Sequence, residues 1–153
     1  MILIIIIADQ YSKYLVVENI KYGENITVID GILNLNHVRN YGAAFGIGSS
    51  WSNPKVAKTP EEKGQIYKLL ILRILPVLAC LLPVFLVWRE RNKGTLLLLA
   101  YSLIIAGASG NLIDRFRLNY VIDFLDFHIK NKHFESFNIA DSSISIAAGL
   151  LIL

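Results

Sequence analysis

Two long apolar blocks constrain this chain more than any other feature of its sequence. Residues 69–88 are interrupted only by Arg73, and residues 95–113 contain no charged side chain. Each block is close to the ~20 apolar residues that a helix needs to cross the hydrocarbon core of a bilayer. A large soluble protein can bury such helices, but a chain of 153 residues has too little sequence left to enclose two of them. The blocks therefore predict an integral membrane protein.

The two ends of the chain predict further spans that are shorter and contain ionisable residues. Residues 1–17 are apolar apart from Asp9, Lys13 and a few uncharged polar residues, and residues 137–153 carry Asp141. Both segments are at the short end of the range for a spanning helix. A cleavable signal peptide is not expected at the start, because no basic region precedes the apolar run. The sequence thus predicts one membrane domain over 1–153, with spans at about 1–17, 69–88, 95–113 and 137–153.

The connection between the two central spans predicts the orientation. Residues 89–94 contain three basic side chains against one acidic side chain, and short loops rich in Lys and Arg tend to remain in the cytoplasm. Both termini are then cytoplasmic, and residues 18–66 and 114–136 form the outer face. The net charge of +3 is explained by this topology and by weakly anionic lipid. Because no basic patch is interleaved with aromatic residues, no nucleic-acid partner is expected.

The first outer segment contains a predicted β-hairpin. Residues 26–29 and 32–38 are predicted strands on either side of Asp30-Gly31, a dipeptide that favours the positive φ angles of a type I′ turn. The residues after the hairpin, 40–46, are mostly small, so a backbone or a ligand can approach them closely. The expected architecture is therefore a membrane all-α protein with a small β element on its outer face.

Ionisable side chains in or beside the predicted spans are candidates for chemistry, because each costs roughly 2.5–3.5 kcal/mol to insert into a bilayer. They form four groups along the chain: Asp9 with Lys13, Asn111 with Asp114 and Arg115, Asp123 with Asp126, and Asn138 with Asp141. Asp9 and Lys13 are one helical turn apart and are best explained as a structural pair. Asp114 and Asp126 are more simply explained by a helix cap, or by pairing with Arg115 and Lys130 respectively.

Asp141 has no comparable structural explanation. Asn138 is already a natural N-cap for the fourth predicted helix, so a further carboxylate one turn into an apolar span suggests a function. Two carboxylates that share one proton can activate water for peptide hydrolysis: the ionised one accepts the proton of the water, and the neutral one donates to the carbonyl oxygen. Spacing alone does not say which two carboxylates would do this.

Other hydrolytic chemistries lack their usual signatures. The sequence contains no His-Glu-x-x-His and no Gly-x-Ser-x-Gly motif, and the lone Cys80 lies within the second predicted span. A metal site built with Asp123 and Asp126 stays open but is not indicated, because the histidines are scattered among the outer segments: His37, His128 and His133.

Two non-hydrolytic functions compete with an enzyme. A proton-coupled transporter subunit would use Asp9, Asp114 and Asp141 as a relay, which requires acids at mid-span depth linking both faces. The predicted topology instead gathers Asp114, Asp123 and Asp141 on the outer side. A non-enzymatic assembly subunit could dimerise through the small residues 106–110, but that gives no reason for the clustered acids.

Five short motifs occur in order along nearly the whole chain. They are Asp9-Gln10-Tyr11-Ser12-Lys13, Asn40-Tyr41-Gly42-Ala43-Ala44-Phe45-Gly46, Gly110-Asn111-Leu112-Ile113-Asp114-Arg115, Val121-Ile122-Asp123-Phe124 and Phe137-Asn138-Ile139-Ala140-Asp141-Ser142. They resemble the motifs Asp-Gln-x-Ser-Lys, Asn-x-Gly-Ala-Ala-Phe, Gly-Asn-x-x-Asp-Arg, Val-x-Asp-Phe and Phe-Asn-x-Ala-Asp-Ser/Thr of lipoprotein signal peptidase, the type II signal peptidase. Each motif alone is weak, but five in order are a specific match.

The resemblance implies a fold, a location and a substrate. It implies four transmembrane helices, an outer-face β-cradle and a short juxtamembrane helix, in the bacterial cytoplasmic (inner) membrane. It implies an aspartyl endopeptidase that cleaves diacylglyceryl-modified prolipoproteins just before the lipobox cysteine, in contact with membrane lipid. No metal or other cofactor is required, and we expect a monomer.

The resemblance also assigns residues. It implies Asp123 and Asp141 as the catalytic pair. The positions that match substrate-binding or dyad-supporting residues are Asn40, Gly42, Asn111, Asp114, Arg115, Asn138 and Ala140, with Asp9 and Lys13 as a supporting polar cluster. The motif around Asp114 is also strong, but a salt bridge or cap beside Arg115 accounts for it, so Asp123 is preferred. Two departures from the family pattern are a shorter first span and a longer loop at 51–64.

Overall fold

Four helices and a small antiparallel sheet form the described part of the chain, residues 1–42, 74–90, 94–130 and 132–152 of a computed structural model. The helices are α1 (Ile2–Asn19), α2 (Leu75–Glu90), α3 (Thr95–Leu118) and α4 (Ile139–Ile152). The strands are β1 (Asn25–Ile29), β2 (Leu33–Asn40), β3 (Val121–Ile129) and β4 (Lys132–His133). The expected combination of a mostly helical chain with a small β element is confirmed.

The helices differ in how well each could cross a membrane alone. Within the described ranges, α3 is the one helix that is both long and apolar enough, and α4 is apolar but shorter. Helix α1 is long enough but contains Asp9, Lys13 and Glu18. Asp9 and Lys13 are 0% and 2% exposed, so these charges face the protein interior. The four-span arrangement therefore stays a prediction.

Helix α3 is longer than its charge-free sequence. The predicted span ends at residue 113, whereas the helix continues to Leu118 and ends at Asn119, which has a left-handed φ of 63°. The extension includes Asp114 and Arg115, and both are buried. Their side chains find partners inside the protein, so the helix does not need to end where the charges begin.

Small residues let α3 and α4 approach closely, as the 106–110 pattern predicted. Gly107 is buried against α4, where an added Cβ would overlap the backbone oxygen of Ala140 and the side chains of Ser143 and Ile144. The hydroxyl of Ser143 donates to the carbonyl oxygen of Leu103 on α3 at 3.2 Å. This face is thus used within the chain to fix the position of α4.

The sheet has the strand order β1-β2-β3-β4, with antiparallel neighbours. The predicted hairpin is confirmed, but its turn is not type I′. Gly31 has a φ of 74°, while Asp30 is not in the positive-φ region, and Ile32 N donates to Ile29 O at 3.1 Å. A positive φ at the second central residue alone is the type II pattern. A register shift between Thr27 and Ile29 adapts this turn to the strands.

The sheet is anchored to the end of α1 by an apolar cluster. Val16 and Ile20 pack with Ile122 and Phe124 of β3. Alternate residues of a strand face opposite sides of a sheet, so this packing turns Asp123 away from the apolar cluster. The register of β3 against α1 thereby sets the direction of the Asp123 carboxyl.

Some of the predictions lie outside the described residues. These are the 43–46 part of the second motif, the polar loop 51–64, the first residues of the second predicted span and the centre of the 89–94 connection. The expected short juxtamembrane helix is not found within the described ranges.

Candidate active site

Helix α4 begins with a side-chain cap that also belongs to the candidate site. The Oδ1 atom of Asn138 accepts from the backbone N–H of Asp141 at 2.9 Å, which is the N-cap geometry expected for Asn. The backbone carbonyl of Asn138 accepts from Ser142 N at 3.1 Å. The predicted cap is confirmed, and it places Asp141 in the first turn of the helix.

The amide nitrogen of Asn138 connects this cap to β3. It donates to Asp123 Oδ1 at 2.7 Å, and lies 3.3 Å from the backbone oxygen of Ile122. The other carboxylate oxygen of Asp123 accepts from Asn40 Nδ2 at 3.0 Å. Asp123 is 2% exposed and Asn138 is 0% exposed. Both oxygens of this buried carboxyl are therefore held by amides from two different elements.

Asn111 of α3 links the cap to the second carboxylate. Its Nδ2 atom donates to Asp141 Oδ1 at 2.7 Å, and its Oδ1 atom accepts from Asn138 Nδ2 at 3.1 Å. Asp123 and Asp141 are thus bridged through two asparagine side chains. The structure brings together the two aspartates that the resemblance implied as a pair.

The environment of Asp123 favours its protonated form. Burial, and after it the negative charge of Asp141, raise the pKa of Asp123 from 3.8 to about 7. The hydrogen bonds from Asn40 and Asn138, and the charge of Lys13, oppose the shift. A carboxyl with this pKa can carry a proton near neutral pH.

Lys13 forms the centre of a buried polar cluster behind the aspartate pair. Its Nζ atom lies 2.9 Å from Asp9 Oδ2 and 2.9 Å from Asp114 Oδ2, and it donates to Asn111 Oδ1 at 3.0 Å. The expected Asp9–Lys13 pair is confirmed. Because Lys13 occupies the oxygen of the Asn111 amide, the nitrogen of that amide is directed towards Asp141.

Asp114 has a different partner from the one expected. Its ion pair within the described residues is with Lys13 rather than Arg115. It also accepts from Gln10 Nε2 at 2.9 Å and from the backbone N–H of Ile122 at 3.2 Å. Asp114 therefore ties α1 to the start of β3, one residue before Asp123.

Asp9 connects α1 to α4 through a hydrogen bond. Its Oδ1 atom accepts from the backbone N–H of Ala140 at 2.9 Å. This contact requires a close approach of α3, where an added Cβ on Gly110 would lie 2.7 Å from Asp9 Oδ2. The matched positions Asp9 and Ala140 thus orient the first turn of α4.

Arg115 connects α3 to the segment after β2. Its guanidinium donates to the carbonyl oxygen of Gly42 at 3.3 Å and to that of Asn111 at 3.4 Å. Gly42 N in turn donates to Asn40 Oδ1 at 2.9 Å. This chain of contacts orients the Asn40 amide, whose nitrogen then points to Asp123.

Asp126 belongs to a separate cluster on the outer part of the sheet. It accepts from Asn34 Nδ2 at 3.1 Å and from His133 Nδ1 at 2.9 Å, so the expected pairing with Lys130 is wrong. The ring of His133 stacks on His128 with 4.7 Å between centroids. Hydrogen bonds from His133 and Asn34 hold the pKa of Asp126 below its usual value although burial acts in the opposite direction. Among the described residues, no group of three or more His, Cys, Asp or Glu side chains could hold a metal ion.

Sequence reasoning missed two contributors to these clusters. Gln10 lies in the first motif, which predicts no role for it, and its amide donates to Asp114, Asp9 and the Gly110 carbonyl oxygen. The sequence indicates His133 only as a candidate metal ligand, whereas its ring contacts Asp126. The signal for Gln10 was its place beside Asp9 in an otherwise apolar helix, whereas the partner of His133 depends on strand pairing.

Comparisons with known proteins show the family of this chain. The family model described as signal peptidase (SPase) II matches residues 1–153. A lipoprotein signal peptidase from Shewanella loihica is 42% identical over 153 residues, covering 99% of this chain and 81% of that protein. One from Buchnera aphidicola subsp. Schizaphis graminum is 42% identical over 151 residues, covering 99% and 88%.

The fold is also found in solved structures. One, described as a bacterial membrane enzyme, matches with a TM-score of 0.81 at 32% identity, covering 99% of this chain and 82% of that chain. A second with the same description has a TM-score of 0.77 at 32% identity, covering 99% and 86%. The apolar helices, the buried polar cluster and this likeness define the class: a membrane enzyme. The chain belongs to the signal peptidase II family.

Proposed function

We propose that this chain is a lipoprotein signal peptidase that works as an intramembrane aspartyl endopeptidase. Its substrates are diacylglyceryl-modified prolipoproteins, and it removes their signal peptides by cleaving just before the lipobox cysteine. The observation that carries the proposal is the pair of bridged carboxylates, Asp123 and Asp141, held by Asn138 and Asn111 at 2.7 Å each. Family membership supports the substrate class.

The two carboxyl groups have environments that suit different roles. Asp141 lies in the first turn of α4, where the helix dipole favours a negative charge. Asp123 has a pKa of about 7, so it can be neutral when Asp141 is ionised. Asp141 then accepts a proton from a water molecule, and Asp123 donates its proton to the carbonyl oxygen of the scissile bond. One proton is thereby shared by the pair, as in other aspartic proteases.

The remaining steps return the pair to its starting state. Water oxygen bonds to the carbonyl carbon and gives a tetrahedral diol. The proton held by Asp141 passes to the leaving nitrogen, the C–N bond breaks, and the diol returns a proton to Asp123 as the carbonyl reforms. The products are a signal peptide with a new carboxyl terminus and a lipoprotein with a free cysteine amino group. Two carboxylates and one water suffice, so no metal or cofactor enters the proposal.

The membrane arrangement is part of the proposal. Four spans with both termini in the cytoplasm place the sheet and the start of α4 at the outer face of the inner membrane. A lipid-anchored substrate presents its scissile bond near the membrane surface, so acids at the end of a span are at a suitable depth. The chain is proposed to act as a monomer. A transporter relay is disfavoured because Asp9, Asp114 and Asp141 converge through Lys13 and Asn111 in one cluster.

Single-turnover cleavage of a diacylglyceryl-modified prolipoprotein by purified protein tests the mechanism. Asp123→Asn and Asp141→Asn should each slow cleavage by about 10²–10⁴-fold, because each loses one partner of the acid–base pair. The double variant should be little slower than either single variant, because members of one catalytic unit are not additive. Asp126→Asn is the matched control: this aspartate is also buried on β3, three residues away, and its loss should leave the rate near wild type.

Asp114→Asn separates the two candidate pairs. It removes one carboxylate from Lys13, which keeps Asp9, so we expect a loss of stability of about 1–3 kcal/mol, as for a buried donor that loses one partner, with near-normal turnover by folded protein. If Asp114→Asn is folded but inactive while Asp123→Asn cleaves normally, the catalytic pair is Asp114 and Asp141. Activity that is lost in EDTA and restored by Zn²⁺ would instead indicate a metal hydrolase.

A further inference from the structure

Arg39, one residue before the end of β2, contacts two tyrosine rings. Its guanidinium carbon lies 4.6 Å from the ring centroid of Tyr22 and 5.0 Å from that of Tyr120. The ring of Tyr120 lies a further 5.4 Å from that of Tyr41. Such cation–π contacts hold the charge of a guanidinium in place without using its N–H donors on an anion.

These tyrosines lie just beyond the ends of two helices. Tyr22 follows α1, which ends at Asn19, and Tyr120 follows α3, which ends at Leu118. Tyrosine is enriched at the level where membrane helices reach the lipid headgroups. Tyr22 is 58% exposed, so this cluster is open to its surroundings on at least one side. In the proposed four-span topology, on which this inference rests, these helix ends and Arg39 lie at the depth of the phosphate groups of the outer leaflet.

Among the described residues, no carboxylate balances the charge of Arg39. Its guanidinium contacts the two tyrosine rings, and its Nε atom is buried without a hydrogen-bond partner. Lys21 and Arg117 are exposed cations near the same helix ends. The carboxylate of Glu24 accepts from the backbone N–H of Lys21 at 2.9 Å. The guanidinium of Arg39 is thus half-buried and has no anionic partner among the described residues.

We propose that Arg39, with Tyr22 and Tyr120, binds the phosphodiester of a bilayer phospholipid. A guanidinium can donate two parallel hydrogen bonds to the two non-bridging oxygens of a phosphodiester, and the tyrosine rings restrict its orientation. The diacylglyceryl group of the proposed substrate contains no phosphate, so this ligand is a membrane lipid and not the substrate.

The location of this site links lipid binding to the position of the aspartate pair. Arg39 immediately precedes Asn40, whose amide donates to Asp123, and it is paired in register with Ile122. A phospholipid headgroup held by Arg39 would fix the end of β2 relative to the membrane surface. The carboxyl of Asp123 would then be fixed at a constant depth.

Native mass spectrometry of the full chain in detergent tests the proposal. Phosphatidylglycerol, phosphatidylcholine and dioleoylglycerol are titrated separately, and dissociation constants are measured for wild type, Arg39→Gln, Arg39→Lys and Lys132→Gln. Wild type should bind one phosphatidylglycerol about tenfold more tightly than Arg39→Gln, since a hydrogen-bonded charge pair is lost. Arg39→Lys should be weakened a few-fold, because an ammonium does not make the bidentate contact. Lys132→Gln removes the same charge on β4, opposite the last residue of β3, and should bind as wild type does.

Competition experiments with dioleoylglycerol and inorganic phosphate identify the ligand. Dioleoylglycerol, which has no phosphate, should not compete with phosphatidylglycerol. Inorganic phosphate that displaces the lipid at equal concentration would show a free-phosphate site instead. Equal phosphatidylglycerol affinity in wild type and Arg39→Lys, or in wild type and a folded Arg39→Gln, would overturn the proposal and leave Arg39 as a structural contact between tyrosines. Because lipid binding is measured without substrate, these outcomes are independent of the cleavage assay.

Discussion

The side chain of Asn138 makes hydrogen bonds to both a helix and a candidate catalytic carboxyl. Its oxygen caps α4 through the backbone of Asp141, and its nitrogen donates to Asp123 at 2.7 Å. An aspartate at this position could cap the helix equally well, but it would bring a third carboxylate beside Asp123. The amide is therefore required by the site and not by the helix alone.

The raised pKa of Asp123 predicts a pH-dependent contribution to stability. Its carboxyl has a pKa of about 7 in the folded protein against an ordinary 3.8, so folding favours the protonated form. This contribution is full below about pH 4 and is lost as the pH rises towards 7. Asn does not titrate, so Asp123→Asn should gain stability relative to wild type over that interval, by on the order of 1.4 kcal/mol per pH unit at most.

Thermal unfolding of both proteins in detergent at pH 4.5, 6 and 7.5 checks this expectation. Asp126→Asn is a useful comparison, because the pKa of Asp126 is shifted in the opposite direction. The melting temperature of Asp123→Asn minus that of wild type should increase with pH. A value that stays constant or decreases as the pH rises would contradict a proton held on Asp123.

At the scale of elements, local relations were predictable and turn details were not. The Asp9–Lys13 pair and the Asn138 cap depend on residues three or four apart, so spacing within one helix defines them. The hairpin at Asp30-Gly31 was predicted, but its turn type also depends on the register shift between Thr27 and Ile29. Sequence spacing does not report such a shift.

The contact between α3 and α4 makes a prediction with two glycines. Gly107→Ala should destabilise the protein by about 1–3 kcal/mol, because the new methyl group overlaps Ala140 and Ser143 in a packed interface. Gly149→Ala is the matched control on α4, where an added Cβ meets no atom within 4 Å. It should be neutral or stabilising by up to about 1 kcal/mol, because alanine favours helix.

Thermal unfolding measures both glycine variants, and cleavage assays show whether the interface matters to the site. Gly107→Ala should also slow cleavage, because α4 carries Asn138 and Asp141. A Gly107→Ala variant as stable as Gly149→Ala would show that the two helices separate easily at this point.

At the scale of the whole molecule, the site combines residues that sequence alone could not connect. Lys13 meets Asn111 and Asp114 across about a hundred residues, and Asn40 meets Asp123 across the sheet. Periodicity predicted the elements that carry these residues, and the resemblance implied their grouping. The partner of Asp114 was nevertheless wrong, because a neighbour in sequence, Arg115, points instead to Gly42.

The proposed topology can be tested by cysteine labelling in a Cys80→Ala background. An impermeant maleimide applied to intact cells should label Asn53→Cys and Lys132→Cys but not Asn92→Cys. Asn92 is preferred to Gly94, because Gly94 has a φ of 114° that a cysteine would strain. All three positions should react after permeabilisation. Labelling at position 92 but not at positions 53 and 132 in intact cells would invert the arrangement.

The hydrogen bond between Asp9 and the backbone of Ala140 spans 131 positions of the chain, and it has a consequence for biosynthesis. The amino terminus of a chain leaves the ribosome first, so Asp9 lacks the Ala140 backbone N–H as a partner until α4 has been made. Asp123 likewise lacks Asn138 and Asp141 during that interval. In the proposed mechanism, a half-made chain therefore has no competent pair of acids, so cleavage requires the finished chain.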